Sequence, residues 1–327
     1  MKFLNRIFTL ALILTFSIAC LSQDRTENNK ENKSAKKSDK PVSVKTNVLI
    51  LDRNGQLAND IKAEDLKIFE DGVEQKNVSL IKISSVNVGL AIDNSGSVRT
   101  QLDQITTAAK LVFNNLRGQD EVFLVRFVGS DKIEVIQDWT TNKAELNEAA
   151  ENMYVEGGQT AVLDAVYLAA EKIAEQAKKD ATRRNVLIVI SDCEDVNSFY
   201  TRKEVLKKIK ESDVEIYTIG FTQRLPFSST SDYKSPREIA NNLADLFASE
   251  TNGVAYFPKS SKKNQKEIVE AATSILSELR AQYRIEYVST NQKSDDKRRK
   301  LRVEIADSSK DEKRTAIMRE SVSISND

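Results

Sequence analysis

Two continuous apolar runs constrain the fold of this chain more than any other feature. Residues 88–92 and 186–190 are apolar throughout except for Gly89, and such runs are typical of strands buried on both faces of a parallel sheet. The segments between and after them carry a single apolar stripe at helical spacing. Because strand and helix patterns alternate over residues 86–280, we predict an α/β fold with a doubly wound, mostly parallel sheet.

The same patterns predict the other elements of this domain. Helical stripes begin near Leu102 and near Val162. Further strands are expected at residues 122–127, 133–137, 214–219 and 254–257, and further helices at residues 202–211, 236–249 and 265–280.

Both flanks of the α/β region have a shorter, alternating pattern. Leu301, Val303 and Ile305 alternate with charged residues, and Asp71-Gly72 is suited to a tight hairpin. A flank of about 40 residues seldom folds alone. We therefore predict that residues 42–84 and 282–327 pair into one small β-domain, with the α/β domain of residues 85–281 inserted between them.

The first residues have the pattern of an export signal. Lys2 and Arg6 precede an apolar run that is too short to span a bilayer comfortably. Residues 17–20 resemble a bacterial lipobox but lack its usual leucine, so lipidation of Cys20 and ordinary cleavage are alternatives. Residues 1–22 are thus a predicted signal peptide, and the polar residues 23–41 a disordered linker. We expect an exported protein that is periplasmic, envelope-anchored or extracellular, without a membrane span.

Composition excludes several function classes. The chain has no histidine, so a Ser-His-Asp triad, a Cys-His pair and an imidazole zinc site are all ruled out. Lys+Arg and Asp+Glu both number 49, so no overall field directs the protein to nucleic acid. No P-loop pattern is present.

Oxygen-bearing side chains follow the predicted strand ends, where open α/β sheets bind ligands. The expected donors lie directly after the two apolar runs and at the edge of the helix that begins near residue 161, and they are Asp93, Ser95, Ser97, Thr160 and Asp192. Carboxylate and hydroxyl oxygens suit Mg²⁺, Mn²⁺ or Ca²⁺. Each donor alone could be a helix cap or a turn residue. Their joint placement at one sheet edge favours a divalent-metal site.

Residues 86–280 resemble a von Willebrand factor type A domain, and the five donors resemble the metal-ion-dependent adhesion site of that family. The resemblance rests on the Asp-x-Ser-x-Ser element, the loop threonine and the strand-end aspartate. In the flanks, Asp52-x-x-Gly55, Glu70-Asp71-Gly72 with Gln75, and the strand at residues 283–288 are similar to bacterial secreted proteins of the "VWFA-related" type.

The resemblance implies a non-enzymatic, metal-dependent adhesion or scaffold module of the bacterial cell envelope. An open position on the cation would accept an acidic side chain of a protein partner. Two alternatives stay open. One is a Mg²⁺-dependent hydrolase or phosphatase, although such an enzyme would typically carry a second carboxylate where this chain has Ser95. The other is a structural module whose metal only stiffens the loops.

The segment after the second aspartate departs from the family pattern. Many members have glycine there, whereas this chain has Cys193, which would be strained at a positive φ. Glu194 and Asp195 are expected to be solvated loop carboxylates. The loop at residues 222–234 follows another strand end, and its residues Arg224, Pro226, Phe227 and Tyr233 would either contribute partner selectivity or form a variable surface loop.

Overall fold

The computed structural model describes residues 41–227, 233–259, 266–281, 283–293, 298–306, 313–318 and 321–322. The predicted signal peptide at residues 1–22, with Cys20, lies outside the described residues, as does the predicted linker apart from Pro41. The two segments that follow the apolar runs, with the predicted metal ligands Asp93, Ser95, Ser97 and Asp192, are described throughout.

The described residues form fourteen strands and six α-helices. The strands are β1 (Ser43–Leu51), β2 (Leu66–Glu70), β3 (Val73–Glu74), β4 (Ser79–Lys82), β5 (Val86–Asp93), β6 (Glu121–Phe127), β7 (Ile133–Thr140), β8 (Arg184–Ser191), β9 (Glu215–Gly220), β10 (Ala255–Tyr256), β11 (Tyr283–Val288), β12 (Arg299–Ile305), β13 (Thr315–Met318) and β14 (Ser321–Val322). The helices are α1 (Leu102–Asn115), α2 (Lys143–Glu151), α3 (Val162–Ala177), α4 (Arg202–Glu211), α5 (Pro236–Glu250) and α6 (Lys266–Leu279).

A six-stranded sheet forms the centre of the fold, with strand order β10-β9-β8-β5-β6-β7. All neighbours are parallel except β7, which runs antiparallel to β6. The two apolar runs lie in β5 and β8, and every residue of both strands is buried. The predicted α/β fold with a doubly wound, mostly parallel sheet is therefore confirmed.

Helices cover both faces of this sheet. The buried side chains of α1, α2 and α6 pack on one face, and those of α3, α4 and α5 pack on the other. Such two-sided cover explains why the sequences of β5 and β8 are apolar at successive positions instead of alternate ones. It also leaves the carboxyl ends of the parallel strands at one edge of the domain.

Two edge strands differ in length from the prediction. β7 continues three residues beyond the predicted end at residue 137, through a register shift against β6. β10 has only two residues and pairs with β9 at Ala255 and Tyr256 alone. Edge strands pair on one side only, so their side chains carry a weaker burial pattern from which to predict their ends.

The two flanks pair with each other, as predicted. They form two four-stranded sheets, with strand orders β13-β1-β11-β4 and β14-β12-β2-β3. The N-terminal strand β1 lies between β11 and β13, and β2 pairs with β12. A buried ion pair connects β2 and β12, in which Arg299 Nη1 lies 2.5 Å from Glu70 Oε1. None of the helices in the described residues is long and apolar enough to span a membrane.

Candidate metal centre

Two aspartates meet at the carboxyl edge of the central sheet. Asp93 is the last residue of β5, and Asp192 follows the last residue of β8. The strands are parallel neighbours with Ile92 opposite Ile190, so both carboxylates lie at the same end. Asp93 is fully buried and Asp192 is 3% exposed.

The Asp93 carboxylate is held by two hydrogen bonds. Ser95 N donates to Oδ1 at 2.8 Å, and Ser191 Oγ donates to Oδ2 at 2.6 Å. Burial and the nearby charge of Asp192 nevertheless raise the pKa of Asp93 to about 7. Burial also raises the pKa of Asp192. Within the described residues neither carboxylate has an ion-pair partner, so a cation would fit the charge of this pair.

The two serines of the loop that follows β5, which we call the first loop, lie next to each other. Ser95 Oγ lies 2.8 Å from Ser97 Oγ, and the Ser97 hydroxyl partly offsets the rise that burial causes in the pKa of Asp192. Ser95 precedes a short 3₁₀ helix at Gly96–Gln101, but its side chain makes no capping hydrogen bond. Simple helix capping therefore does not explain either hydroxyl.

Thr160 lies in a loop that packs against the first loop. A Cβ on Gly96 would lie 3.7 Å from Gly157 Cα, which shows how closely the two loops approach. Thr160 is buried, and its carbonyl accepts the amides of Val196 and Asn197 at 2.9 and 3.1 Å. Its hydroxyl forms no hydrogen bond with the other four predicted ligands in this described region. Helix α3 has Ala161 as its N-cap, so Thr160 does not cap it.

The structure thus joins Asp93, Ser95 and Ser97 by hydrogen bonds. It brings Asp192 near enough for its charge to raise the pKa of Asp93, and it places Thr160 in the adjoining loop. Across the described residues, no group of three or more His, Cys, Asp or Glu side chains could hold a metal. A site here consequently depends on hydroxyl oxygens beside its two carboxylates. That donor set is a hard one and suits Mg²⁺, Mn²⁺ or Ca²⁺.

Cys193 has a positive φ of 57°, the condition under which strain was expected. A left-handed backbone is unfavourable for a residue with a Cβ. Its amide donates to Ser191 Oγ at 2.9 Å, and its side chain packs with Leu225, Ala240 and Ala244. Burial raises the pKa of its thiol well above the usual range. Packing and this hydrogen bond hold the strained turn in place.

The expectation of solvated carboxylates is wrong for Asp195. Its Oδ1 accepts the amide of Leu163 at 3.1 Å and the Ser198 hydroxyl at 2.6 Å. Asp195 therefore satisfies a free amide at the start of α3. Glu194 is partly buried, and burial followed by the charge of Asp192 raises its pKa.

Ser191 is a residue of the candidate site that the sequence reasoning missed. It donates to Asp93 and accepts from Cys193, so it links the ends of both strands. Ser191 and Asp93 are 98 residues apart in the chain. Only the parallel register of β5 and β8 reveals that they lie side by side.

The loop after β9 lies beside the segment that follows β5. Arg224 donates to Thr100 Oγ1, and Thr100 belongs to the 3₁₀ helix that contains Ser97. Phe227 is 60% exposed and lies beneath Arg237, whose guanidinium is 5.6 Å from the ring centroid. Residues 228–232 of the predicted rim loop lie outside the described residues.

The sequence profile of the von Willebrand factor type A domain matches residues 87–271. The chain belongs to this family. Von Willebrand factor type A domains mediate protein–protein interactions and are generally non-catalytic. No curated protein has a sequence that matches this chain.

Several solved structures are similar to the chain. An aerotolerance-related membrane protein from Bacteroides fragilis NCTC 9343 is 19% identical, with a TM-score of 0.43 over 58% of this chain and 99% of its own. BatB from Bacteroides thetaiotaomicron is 20% identical, with a TM-score of 0.44 over 59% and 98%. A von Willebrand factor type A protein from Catenulispora acidiphila is 14% identical, with a TM-score of 0.46 over 88% and 74%. At these identities the likeness concerns the fold alone.

Proposed function

We propose that this protein is a metal-dependent protein-binding module of the bacterial cell envelope, acting in adhesion or as a scaffold. Asp93, Ser95, Ser97, Thr160 and Asp192 would hold a divalent cation, Mg²⁺ first and Mn²⁺ or Ca²⁺ as alternatives. When bound, the cation would supply a positive centre for an acidic side chain of the partner. The observation that carries the proposal is the pair of buried carboxylates, which lie beside the hydroxyl groups of Ser95, Ser97 and Ser191 and lack a cationic partner among the described residues.

The protein's own residues explain the need for a cation. Asp93 and Asp192 repel each other in a buried position, and Glu194 adds a partly buried carboxyl group next to them. An acidic partner approaching this edge without a metal would meet the same repulsion. Because the serine and threonine ligands are neutral, the cation's charge would be offset only by the two aspartates.

The same residues give little support to hydrolysis. The chain has no histidine, and the second position after Asp93 is Ser95, whose hydroxyl is bonded to Ser97. A hydrolase would need a general base or a nucleophile with an activating partner beside the metal.

The further proposal that the protein is exported, with Cys20 either lipidated or removed with the signal, is tested by mass spectrometry of the mature N-terminus.

Calorimetric titration with Mg²⁺, Mn²⁺ and Ca²⁺ tests the metal site. We expect binding of one cation per chain, loss of that binding in Asp93→Ala, and its retention in Glu156→Gln. Glu156 is a suitable control because its amide donates to Asn94 O at 3.1 Å, whereas its carboxylate pairs with Lys132 at 2.8 Å. Unchanged cation affinity in a folded Asp93→Ala protein would refute the assignment.

Chelation separates the adhesive from the purely structural alternative. If the metal serves binding, chelator abolishes partner binding. If the metal only stiffens the loops, chelator lowers the unfolding temperature and leaves partner binding unaffected.

A further inference from the structure

Large apolar side chains lie exposed on both sides of the candidate metal centre. Phe199 is 79% exposed, Tyr154 is 53% exposed and Val196 is 52% exposed. Single exposed apolar residues are common on protein surfaces, whereas a group of them at one site indicates an interaction surface.

Hydrogen bonds tie these residues to the loops that carry the metal ligands. The amide of Val196 donates to Thr160 O at 2.9 Å, and Phe199 follows three residues later in the same loop. On the other side, Asn94 Nδ2 donates to Tyr154 O at 2.6 Å. Asn94 lies between Asp93 and Ser95, so Tyr154 is attached to the first metal loop.

Phe199 packs against one of two stacked tyrosines. The rings of Tyr167 and Tyr200 stack with centroids 3.7 Å apart, and Phe199 packs edge-on against Tyr200 at 5.4 Å. Lys208 Nζ lies 4.9 Å from the centroid of Tyr167. We call Tyr167, Tyr200 and Phe199 the aromatic platform.

The backbone beneath the platform is also fixed. Asp164, which is 2% exposed at the start of α3, accepts the amide of Phe199 at 2.8 Å and the amide of Tyr200 at 2.8 Å. Hydrogen bonds from backbone amides to a buried carboxylate are charge-assisted and strong. The buried carboxylate of Asp164 therefore fixes the backbone that carries the exposed Phe199 side chain. Exposure of this side chain contributes little to the stability of the fold.

We propose that the aromatic platform binds a large apolar side chain of the same partner segment whose carboxylate reaches the metal centre. This inference rests on the proposed function and specifies the partner as a protein segment that combines an acidic residue with an aliphatic or aromatic one. Buried aromatic anchors dominate the affinity of many interfaces. Because the platform is ordered in advance, little conformational entropy is lost when the partner binds.

The two contacts would have different roles. The carboxylate contact depends on the cation and is thus a condition for binding. The apolar contact depends on Phe199 and adds affinity only when the partner carries a suitable neighbour of the acidic residue. A partner with both groups is distinguished from the many exposed carboxylates of the envelope, which offer the first group alone.

A panel of short synthetic peptides tests this inference on the full chain in Mg²⁺. Each peptide carries one aspartate and one leucine or phenylalanine at a varied spacing, and matched peptides replace either residue by serine. We expect the best peptide with both residues to bind about tenfold more tightly than its match without the apolar residue, as burial of one such side chain predicts.

Variants assign that gain to the platform. Phe199→Ala should remove the tenfold gain but retain weak, Mg²⁺-dependent binding of the aspartate, whereas Phe199→Leu should keep most of the gain. Val288→Ala is the matched control, because Val288 is 52% exposed but lies in β11 of a flanking sheet. Equal unfolding temperatures would show that each variant is folded.

The outcomes separate the two proposals. If peptide binding needs Mg²⁺ and Asp93 but Phe199→Ala binds as wild type does, the platform inference is wrong and the proposed function stands. If no peptide gains affinity from its apolar residue, the platform inference is likewise wrong. If binding persists in chelator and in Asp93→Ala, the proposed function is wrong.

Discussion

Replacing Asp93 by asparagine tests the electrostatic reasoning at the metal centre. The substitution keeps the size of the side chain and removes one of two buried carboxylates. In chelator, where no cation offsets their repulsion, the variant should be more stable than wild type. In Mg²⁺ the difference in unfolding free energy between the two proteins should become smaller or change sign, because only wild type gains stability from the metal.

The magnitude follows from the pKa of Asp93, which is raised from 3.8 to about 7. A shift of about 3 units corresponds to roughly 4 kcal/mol at neutral pH. The raised pKa already includes the hydrogen bonds from Ser95 N and Ser191 Oγ, which favour the charged form. The expected gain in the free energy of unfolding is therefore about 4 kcal/mol in chelator at neutral pH.

The dependence on pH has a defined sign. The unfolded chain releases the Asp93 proton near pH 3.8, whereas the folded protein retains it up to about pH 7. Over that window the folded state binds more protons, so the stability of wild type in chelator falls as pH rises. Asp93→Asn should lack this part of the decline.

Urea unfolding, followed by the fluorescence of Trp139, measures both effects. Trp139 is the only tryptophan, and its ring packs edge-on against Phe123 with centroids 4.5 Å apart. If Asp93→Asn is no more stable than wild type in chelator at pH 7, burial and the charge of Asp192 do not destabilise the charged Asp93 carboxylate as the structure indicates. An equal rise in stability of both proteins with Mg²⁺ would contradict the metal assignment as well.

Three further substitutions test other parts of the structure. Gly253→Ala should destabilise the protein by at least about 3 kcal/mol in urea unfolding, because its Cβ would lie 1.6 Å from Ile216 O; a wild-type midpoint would show that the backbone can move aside. Arg299→Met leaves Glu70 buried without its cationic partner, with the hydroxyl groups of Tyr287 and Ser289 still donating to it, so the unfolding free energy should fall by about 3–5 kcal/mol and recover when Glu70 is also replaced by leucine. A loss well below about 1 kcal/mol would mean that the two hydroxyl groups suffice to stabilise the buried carboxylate. Asp164→Asn should speed hydrogen exchange at the two loop amides that it holds, by a factor corresponding to about 1–3 kcal/mol, and unchanged exchange rates would contradict the role given to this carboxylate.

Local patterns in the sequence were sufficient to predict most of the central domain. The apolar runs of β5 and β8 and the helical stripes of α1 and α3 each depend on burial of the element itself. Burial repeats with the period of the element, so the pattern can be recognised without knowing its neighbours. The ends of β7 and β10 were less accurate because edge strands are only partly covered.

Side-chain roles in the loops were harder to predict. Asp195 is a loop aspartate of the kind expected to be solvated, but it accepts the Leu163 amide at the start of α3. Asp164 lies in α3 itself and accepts an amide of a loop more than 30 residues later. Such contacts leave no periodic signal, because a single hydrogen bond needs only one suitable residue at each end.

The sequence by itself determined the donors of the candidate metal centre, their order along the chain and their position after buried strands. It also excluded histidine chemistry, since no histidine is present. Only the tertiary structure decided that β5 and β8 are parallel neighbours with Ile92 opposite Ile190. That register joins Asp93 to Ser191 across 98 residues. Loop packing joins Thr160 to Val196, in the same loop as Phe199 of the aromatic platform. The physical reason is that periodic burial acts within one element, whereas strand pairing and loop packing act between elements that are distant in the chain.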